Sequence, residues 1–186
     1  APTYERVNRI LTLGLDARWR KAAADAAAAA GGARWLDVCS GTGDMARALI
    51  DRAPAGTLVA ALDFCGPMLA LSAARNPGGR IVFALGDVRS LPFPDEAFDL
   101  ATISFATRNI NLSREILVRT FAGFRRALKP GGRFVNVETS QPGSRIVRSL
   151  FHAHIRLAVR RVGTFLSGSR AGYSYLGATS PRFSSA

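Results

Sequence analysis

The sequence predicts a doubly wound α/β domain built on a mostly parallel sheet, and three observations predict it. Short apolar runs alternate with helical periods along most of the chain, the runs are separated by turns rich in Gly and Pro, and acids close successive runs. Parallel neighbours need crossover connections, so strands that alternate with helices at this spacing point to a parallel sheet covered on both faces. At 186 residues and 48% hydrophobic composition the chain suits one domain with a sizeable core.

The elements follow in order. Tyr4, Val7, Leu11 and Leu15 recur at helical spacing, and Arg18 to Ala30 continues as a helix former that Gly31-Gly32 ends. Ala33 to Cys39 reads as a buried strand, followed by a Gly-rich turn and a helix from Asp44 to Arg52. Thr57 to Asp63 is the second strand and Pro67 to Arg75 the next helix, with a break at Asn76-Pro-Gly-Gly79. Arg80 to Leu85 is a third strand, and Phe98 to Phe105 a fourth after the turn Leu91-Pro-Phe-Pro-Asp95. Leu117, Phe121, Phe124 and Leu128 mark an amphipathic helix that stops at Lys129-Pro-Gly-Gly132, and Arg133 to Thr139 is the fifth strand. Beyond Ser140 helix replaces sheet: Ile146, Val147, Leu150, Phe151, His154, Ala158 and Val162 form one face, Arg145, Arg148, His152, Arg156 and Arg160 the other. The expected organisation is a single domain, with N-terminal helices over 1–32, a ligand-binding core over 33–140 and a basic helical region over 141–186.

Leu36-Asp-Val-Cys-Ser-Gly-Thr-Gly-Asp44 places an acid at a strand end, then a turn of small residues into a helix. Such a turn lets backbone N–H groups approach a ligand at a helix N-terminus, the logic of nucleoside-type sites. The full glycine fingerprint of dinucleotide enzymes is absent, because Cys39 stands where its first glycine belongs and the third is missing. Asp63 closes the second strand about twenty residues later, where a carboxylate accepts both ribose hydroxyls of an adenosine. The same acid also reads as an N-cap for the Pro67 helix. Asp87 follows the third strand and suits an adenine amino group, with the Val88 N–H facing the ring. Three acids at three successive strand ends converge on one crevice.

The ordered set Asp37 to Asp44, Asp63, Gly86-Asp-Val88, Leu91 to Asp95, Phe98-Asp99 and Leu128 to Gly132 resembles class I methyltransferases. Tyr4-Glu-Arg-Val-Asn8, Leu13 to Trp19, Ile103-Ser-Phe-Ala-Thr-Arg-Asn109 and Tyr173-Ser-Tyr-Leu176 resemble, more narrowly, the ubiquinone/menaquinone biosynthesis C-methyltransferases. The similarity covers almost the whole chain. It implies a Rossmann-like fold, S-adenosyl-L-methionine as cofactor and transfer of a methyl group to the ring of a prenylated quinol. The implied cofactor-binding positions are Asp37, Ser40, Gly41, Thr42, Gly43, Asp63, Phe64, Met68, Asp87, Val88 and Ser104. The resemblance further implies that Tyr4, Arg108 and Asn109 face the quinol, with Arg108 expected to stabilise a developing phenolate and Asn109 to orient the hydroxyl, while Tyr4 also reads as part of the packing face of the first helix. No residue stands out as a general base; His152 and His154 read as surface or core histidines, Glu138 as a substrate contact or a cap, and Cys39 and Cys65 as small buried residues beside the cofactor.

Members of that family carry a longer N-terminal segment and a further pair of strands. The expected sheet therefore lacks its last two strands, either because the sequence is a piece of a longer chain or because the protein is shortened; in the second case the free edge of the fifth strand invites association and suggests a homodimer. Thr139 and Gln141 replace the Phe and Lys of the family pattern.

The formal charge of +12 raises the question of an anionic partner. After Glu138 no Asp or Glu follows, while Arg145, Arg148, Arg156, Arg160, Arg161, Arg170 and Arg182 all do. A solvated, compositionally biased surface accounts for this as well as a partner does. A nucleic-acid-binding protein on a methyltransferase scaffold is one alternative, although the stripe lacks the interleaved aromatics that stack on bases. A methyltransferase for another small molecule or lipid is a second. A helix with Arg on one face and Ile, Val, Leu and Phe on the other suits a lipid interface, so residues 145–162 are expected to make peripheral membrane contact. No window is long and apolar enough to cross a bilayer and no metal-ligand spacing is present, so a cytoplasmic setting at the inner face of the membrane is expected.

Overall fold

The computed structural model describes residues 12, 14–29, 31–139, 143–151 and 153–154. These fall into two compact units: Trp19–Glu138, and a second to which residues 12, 14–18, 139, 143–151 and 153–154 belong. Helix α1, Leu15–Ala28, begins in the second and runs into the first.

In the larger unit, β1 (Arg34–Val38), β2 (Leu58–Asp63), β3 (Ile81–Leu85), β4 (Phe98–Ser104) and β5 (Leu128–Val137) form one sheet in the order β3-β2-β1-β4-β5. Every pairing is parallel. Helices α2 (Asp44–Ile50), α3 (Gly66–Arg75), α4 (Thr107–Ile110) and α5 (Arg114–Ala127) fill the connections. The doubly wound expectation is met, and the order reverses direction between β1 and β4, the place where open sheets of this kind bind ligands beyond the strand ends.

Alternation along the strands feeds two cores, one on each face. Trp35, Val59, Ala61 and Leu100 pack with Ala24 and Ala27 of α1 and Met45, Ala46 and Leu49 of α2. Leu36, Val38, Leu62, Ala101 and Ile103 pack on the opposite face with Phe124 and Ala127 of α5. Phe121, Phe124 and Phe134 add aromatic contacts there, with ring centroids 5.0–5.5 Å apart. Asp99 fastens the starting ends of three strands: Oδ2 accepts from the Ala33 and Arg34 N–H groups at 3.0 Å each, and Oδ1 from Lys129 Nζ at 2.6 Å. Arg126 gathers the loop before β4, donating to the Leu91 and Phe93 carbonyls and to Asp95.

The structure corrects two boundaries and adds two short elements. The strand expected from Arg133 starts at Leu128, directly after α5, because Leu128 pairs with Phe98 before the register shifts. Lys129-Pro-Gly-Gly132 is therefore an irregularity inside β5, turned by Gly131 at φ 77°, and does not precede the strand. Helix α1 spans Leu15–Ala28: Leu15 belongs to the helical run as expected, and Ala29 is already in a turn, short of the expected end at Ala30. Helix α4 and a 3-10 turn at Val88–Ser90 are shorter than the windows that reveal periodicity. In the second unit residues 145–151 are helical.

Candidate functional site

The turn between β1 and α2 has the tight, small-residue form that the sequence implies. Ser40 N–H donates to the Leu62 carbonyl at 3.0 Å, which ties the loop to β2, and Gly43 N–H donates to Ser40 O at 2.9 Å. Gly41 and Gly43 have φ of 54° and 86°, conformations that L side chains rarely adopt. At Gly43 a Cβ would also lie 2.0 Å from Ser72 Oγ, so close approach to α3 demands glycine as well. Thr42 and Ser40 are buried within the turn, and Ser40 Oγ is among the buried polar atoms without a protein partner.

The three acids stand at three adjacent strand ends but in three different states. Asp37 is fully buried, and its carboxyl is turned into the sheet, where Oδ1 accepts from Thr102 Oγ1 at 2.8 Å and Oδ2 has no hydrogen-bond partner. Burial pushes its pKa up to about 7, against the lowering influence of Thr102 and Arg20. Asp63 is 5% exposed; Oδ2 accepts from Gly41 N–H and Oδ1 from Cys65 N–H, both at 2.8 Å. A carboxylate has about four lone-pair positions, so each Asp63 oxygen keeps one beyond these bonds. The capping alternative for Asp63 is not what the helix uses: α3 starts after Cys65 without a side-chain cap. Asp87 begins the 3-10 turn, its Oδ1 accepting from Arg89 N–H at 2.9 Å. Its two oxygens also meet Arg89 Nε at 3.0 and 2.9 Å, and Oδ2 meets Nη2.

At the end of β4, Ser104 is half-buried and Phe105 turns the chain with φ 56°. Thr107 Oγ1 donates to Asn136 Oδ1 at 2.9 Å and the Arg108 N–H to Glu138 Oε2 at 3.3 Å, so Glu138 meets the start of α4 as a cap would. Arg108 is half-buried and Asn109 exposed at this strand end. Phe64, just beyond Asp63, is 78% exposed, Met68 is half-buried on α3, and Val88 is buried. Cys39 and Cys65 are free thiols, and burial first, then the charges of Asp63, Asp37 and Asp87, pushes Cys39 up to about 12. Tyr4 and His152 lie outside the described residues.

Three contributors escaped the sequence reading. Arg20 of α1 places its guanidinium 4.9 Å from the Phe105 ring centre and 3.9 Å from Asp44. Thr102 stands in register with Asp37, and a lone Thr in the apolar run of β4 was the available signal. Arg89 is two residues from Asp87, a spacing that carries no periodic signal.

The residues fit an adenosyl ligand: Asp63 has one acceptor position open on each oxygen, and Ser40 Oγ is buried and unpartnered in the loop beside it. Among the described residues no cluster of His, Cys, Asp and Glu suited to a metal occurs.

A family model described as the ubiE/COQ5 methyltransferase family matches residues 1–186. A Deinococcus radiodurans protein named demethylmenaquinone methyltransferase is 39% identical over 180 residues, covering 95% of this chain and 72% of that protein. A Geobacter protein named ubiquinone/menaquinone biosynthesis C-methyltransferase is 34% identical, over 95% of this chain and 74% of its own length. Among solved structures, an S-adenosylmethionine-dependent methyltransferase from Mesorhizobium loti is 30% identical with a TM-score of 0.52, over 60% of this chain and 49% of that one. The matched region thus spans about half of that structure. A methyltransferase structure from Bacillus halodurans, at 24% identity and a TM-score of 0.57 over 76% of this chain and 60% of that one, supports the fold alone.

Proposed function

The chain belongs to the ubiE/COQ5 methyltransferase family, and from that premise we propose that it methylates a ring carbon of a prenylated quinol of the demethylmenaquinol type. It is an S-adenosylmethionine-dependent methyltransferase. The observation that carries the reading is Asp63, a nearly buried carboxylate at the end of β2 with one acceptor position open on each oxygen, the pattern that two vicinal ribose hydroxyls require. When bound, S-adenosylmethionine supplies an electrophilic methyl group.

The remaining work falls to the chain. Asp63 fixes the ribose, and the Gly41–Gly43 turn gives room for the cofactor's chain. Phe64, projecting beyond Asp63, offers an aromatic face to the base. Arg108 stabilises the phenolate that forms as the ring carbon attacks, and Asn109 orients the hydroxyl, so positioning and fixed charge supply most of the rate.

Calorimetry with S-adenosylhomocysteine tests the cofactor half. Asp63→Ala should weaken binding by at least about tenfold, the loss expected for hydrogen bonds to a charged group. Asp63→Asn, which keeps one acceptor for the backbone, separates that loss from a distorted loop; undiminished affinity in both variants overturns the reading. For the acceptor, reduced demethylmenaquinone should be methylated in preference to sterols or phospholipid headgroups, and equal turnover of all three would move the assignment to a broader methyltransferase.

A lipid-borne substrate also gives meaning to the helical segment 145–151. Ile146, Val147 and Leu150 are exposed there beside Arg145, an arrangement that suits an anionic membrane surface.

A further inference from the structure

We propose that Arg89 is an internal competitor for Asp87, occupying both oxygens of the carboxylate that would accept the adenine amino group, so that the cofactor binds by displacing it. The proposal rests on the adenosyl reading of the crevice and concerns how the base end of that site is gated.

Asp87 and Asp63 make the contrast. Each Asp63 oxygen takes one backbone N–H and keeps room for a hydroxyl. Both Asp87 oxygens are engaged, Oδ1 by the backbone N–H of Arg89 and Oδ2 by Nη2, with the single Nε hydrogen shared between them. Three Arg89 N–H groups thus take three of the carboxylate's about four lone-pair positions, against two taken at Asp63, so an incoming amino group competes with the guanidinium for its place. The pair is half-exposed at 42% for each side chain, so solvent competes for it and an amino group of suitable placement can too. Arg89 first, and Arg119 as a lesser neighbour, hold the Asp87 carboxyl below the usual carboxylate range while the pair is formed.

The geometry also separates positioning from blocking. Arg89 donates twice over: its backbone N–H closes the 3-10 turn and fixes Asp87, while only its side chain covers the oxygens. Truncating Arg89 to Ala removes the cover and leaves the turn's own bond. A Lys in its place keeps charge without the planar fork that spans both oxygens.

Calorimetry with S-adenosylhomocysteine and with its deaminated counterpart, which carries inosine in place of adenosine, tests the exchange in the wild type, Arg89→Ala, Arg89→Lys, Asp87→Ala and the Arg89→Ala/Asp87→Ala double variant. Arg89→Ala should tighten S-adenosylhomocysteine by roughly two- to fivefold, the range an exposed ion pair withholds. Arg89→Lys should fall between, and the deaminated ligand should bind Arg89→Ala and wild type alike. The gain should vanish in the double variant. Unchanged or weaker binding in Arg89→Ala, while Asp87→Ala still weakens it, overturns the competition and leaves the adenine role of Asp87 standing. If Asp87→Ala binds as wild type does, the adenine role falls and the competition with it, whereas the Asp63 variants report separately on the ribose end.

Discussion

Asp37 illustrates how much a single side chain owes to its partners. Register opposite Thr102 gives it one hydrogen bond, and complete burial raises its carboxyl from 3.8 to about 7. A raised acid binds its proton more tightly folded than unfolded. Its stabilising contribution is therefore whole below 3.8 and lost as pH rises through about 7. Asp37→Asn has no such proton to lose. Its melting temperature should gain on that of the wild type steadily from pH 4.5 to 7 and level off above, by several degrees in scanning calorimetry; a pH-independent difference would mean that Asp37 is ionised throughout. Gly43 makes a second case. A Cβ there adds left-handed strain to a 2.0 Å clash with Ser72 Oγ, so Gly43→Ala should cost about 2–4 kcal/mol in urea unfolding, and Ser72→Ala in the same chain should recover part of it. The positions of the acids were legible because strand ends recur at a readable spacing. Their partners were not, since Thr102, Arg89 and the Cys65 N–H meet them only through sheet register or a local turn.

The elements were legible in proportion to their length. Strands β1 to β4 lie within a residue of where their apolar runs place them, because a parallel strand buried on both faces reads as a continuous apolar stretch. Helix α5 is equally plain, with Leu117, Phe121 and Phe124 turned to the sheet and Ser113 at its head. Ser113 Oγ accepts from the Ile116 N–H at 3.2 Å, so Ser113→Ala should destabilise the protein by about 1 kcal/mol with no change in cofactor affinity, as urea melts and calorimetry together would register. What failed was the junction of α5 and β5. Pro-Gly-Gly signals a break, yet here the pairing of Leu128 with Phe98 precedes it, and Lys129 reaches Asp99 across the irregularity. Local chemistry announces a turn; only the neighbouring strand decides on which side of it the ladder begins.

For the molecule as a whole the question is charge. A total of +12 on 186 residues is compatible with nucleic acid, lipid or nothing at all; family membership makes the chain a methyltransferase, for which the proposed prenylated acceptor would favour lipid. Among the described residues no helix is long and apolar enough to cross a membrane. The segment 145–151 combines exposed Ile146, Val147 and Leu150 with arginine, and the two kinds of residue predict separable behaviour. Attraction of arginines to anionic headgroups is screened by salt, whereas inserted apolar side chains are not. Vesicles containing phosphatidylglycerol should therefore sediment the protein at low salt and lose much of it at high salt, while neutral vesicles should take up little. Ile146→Ser/Leu150→Ser should weaken binding at every salt concentration, and Arg145→Glu/Arg148→Glu should remove the salt-sensitive part. If wild type stays in solution with anionic vesicles at low salt, the basic face is a solvated surface and the proposed membrane contact through this helix falls.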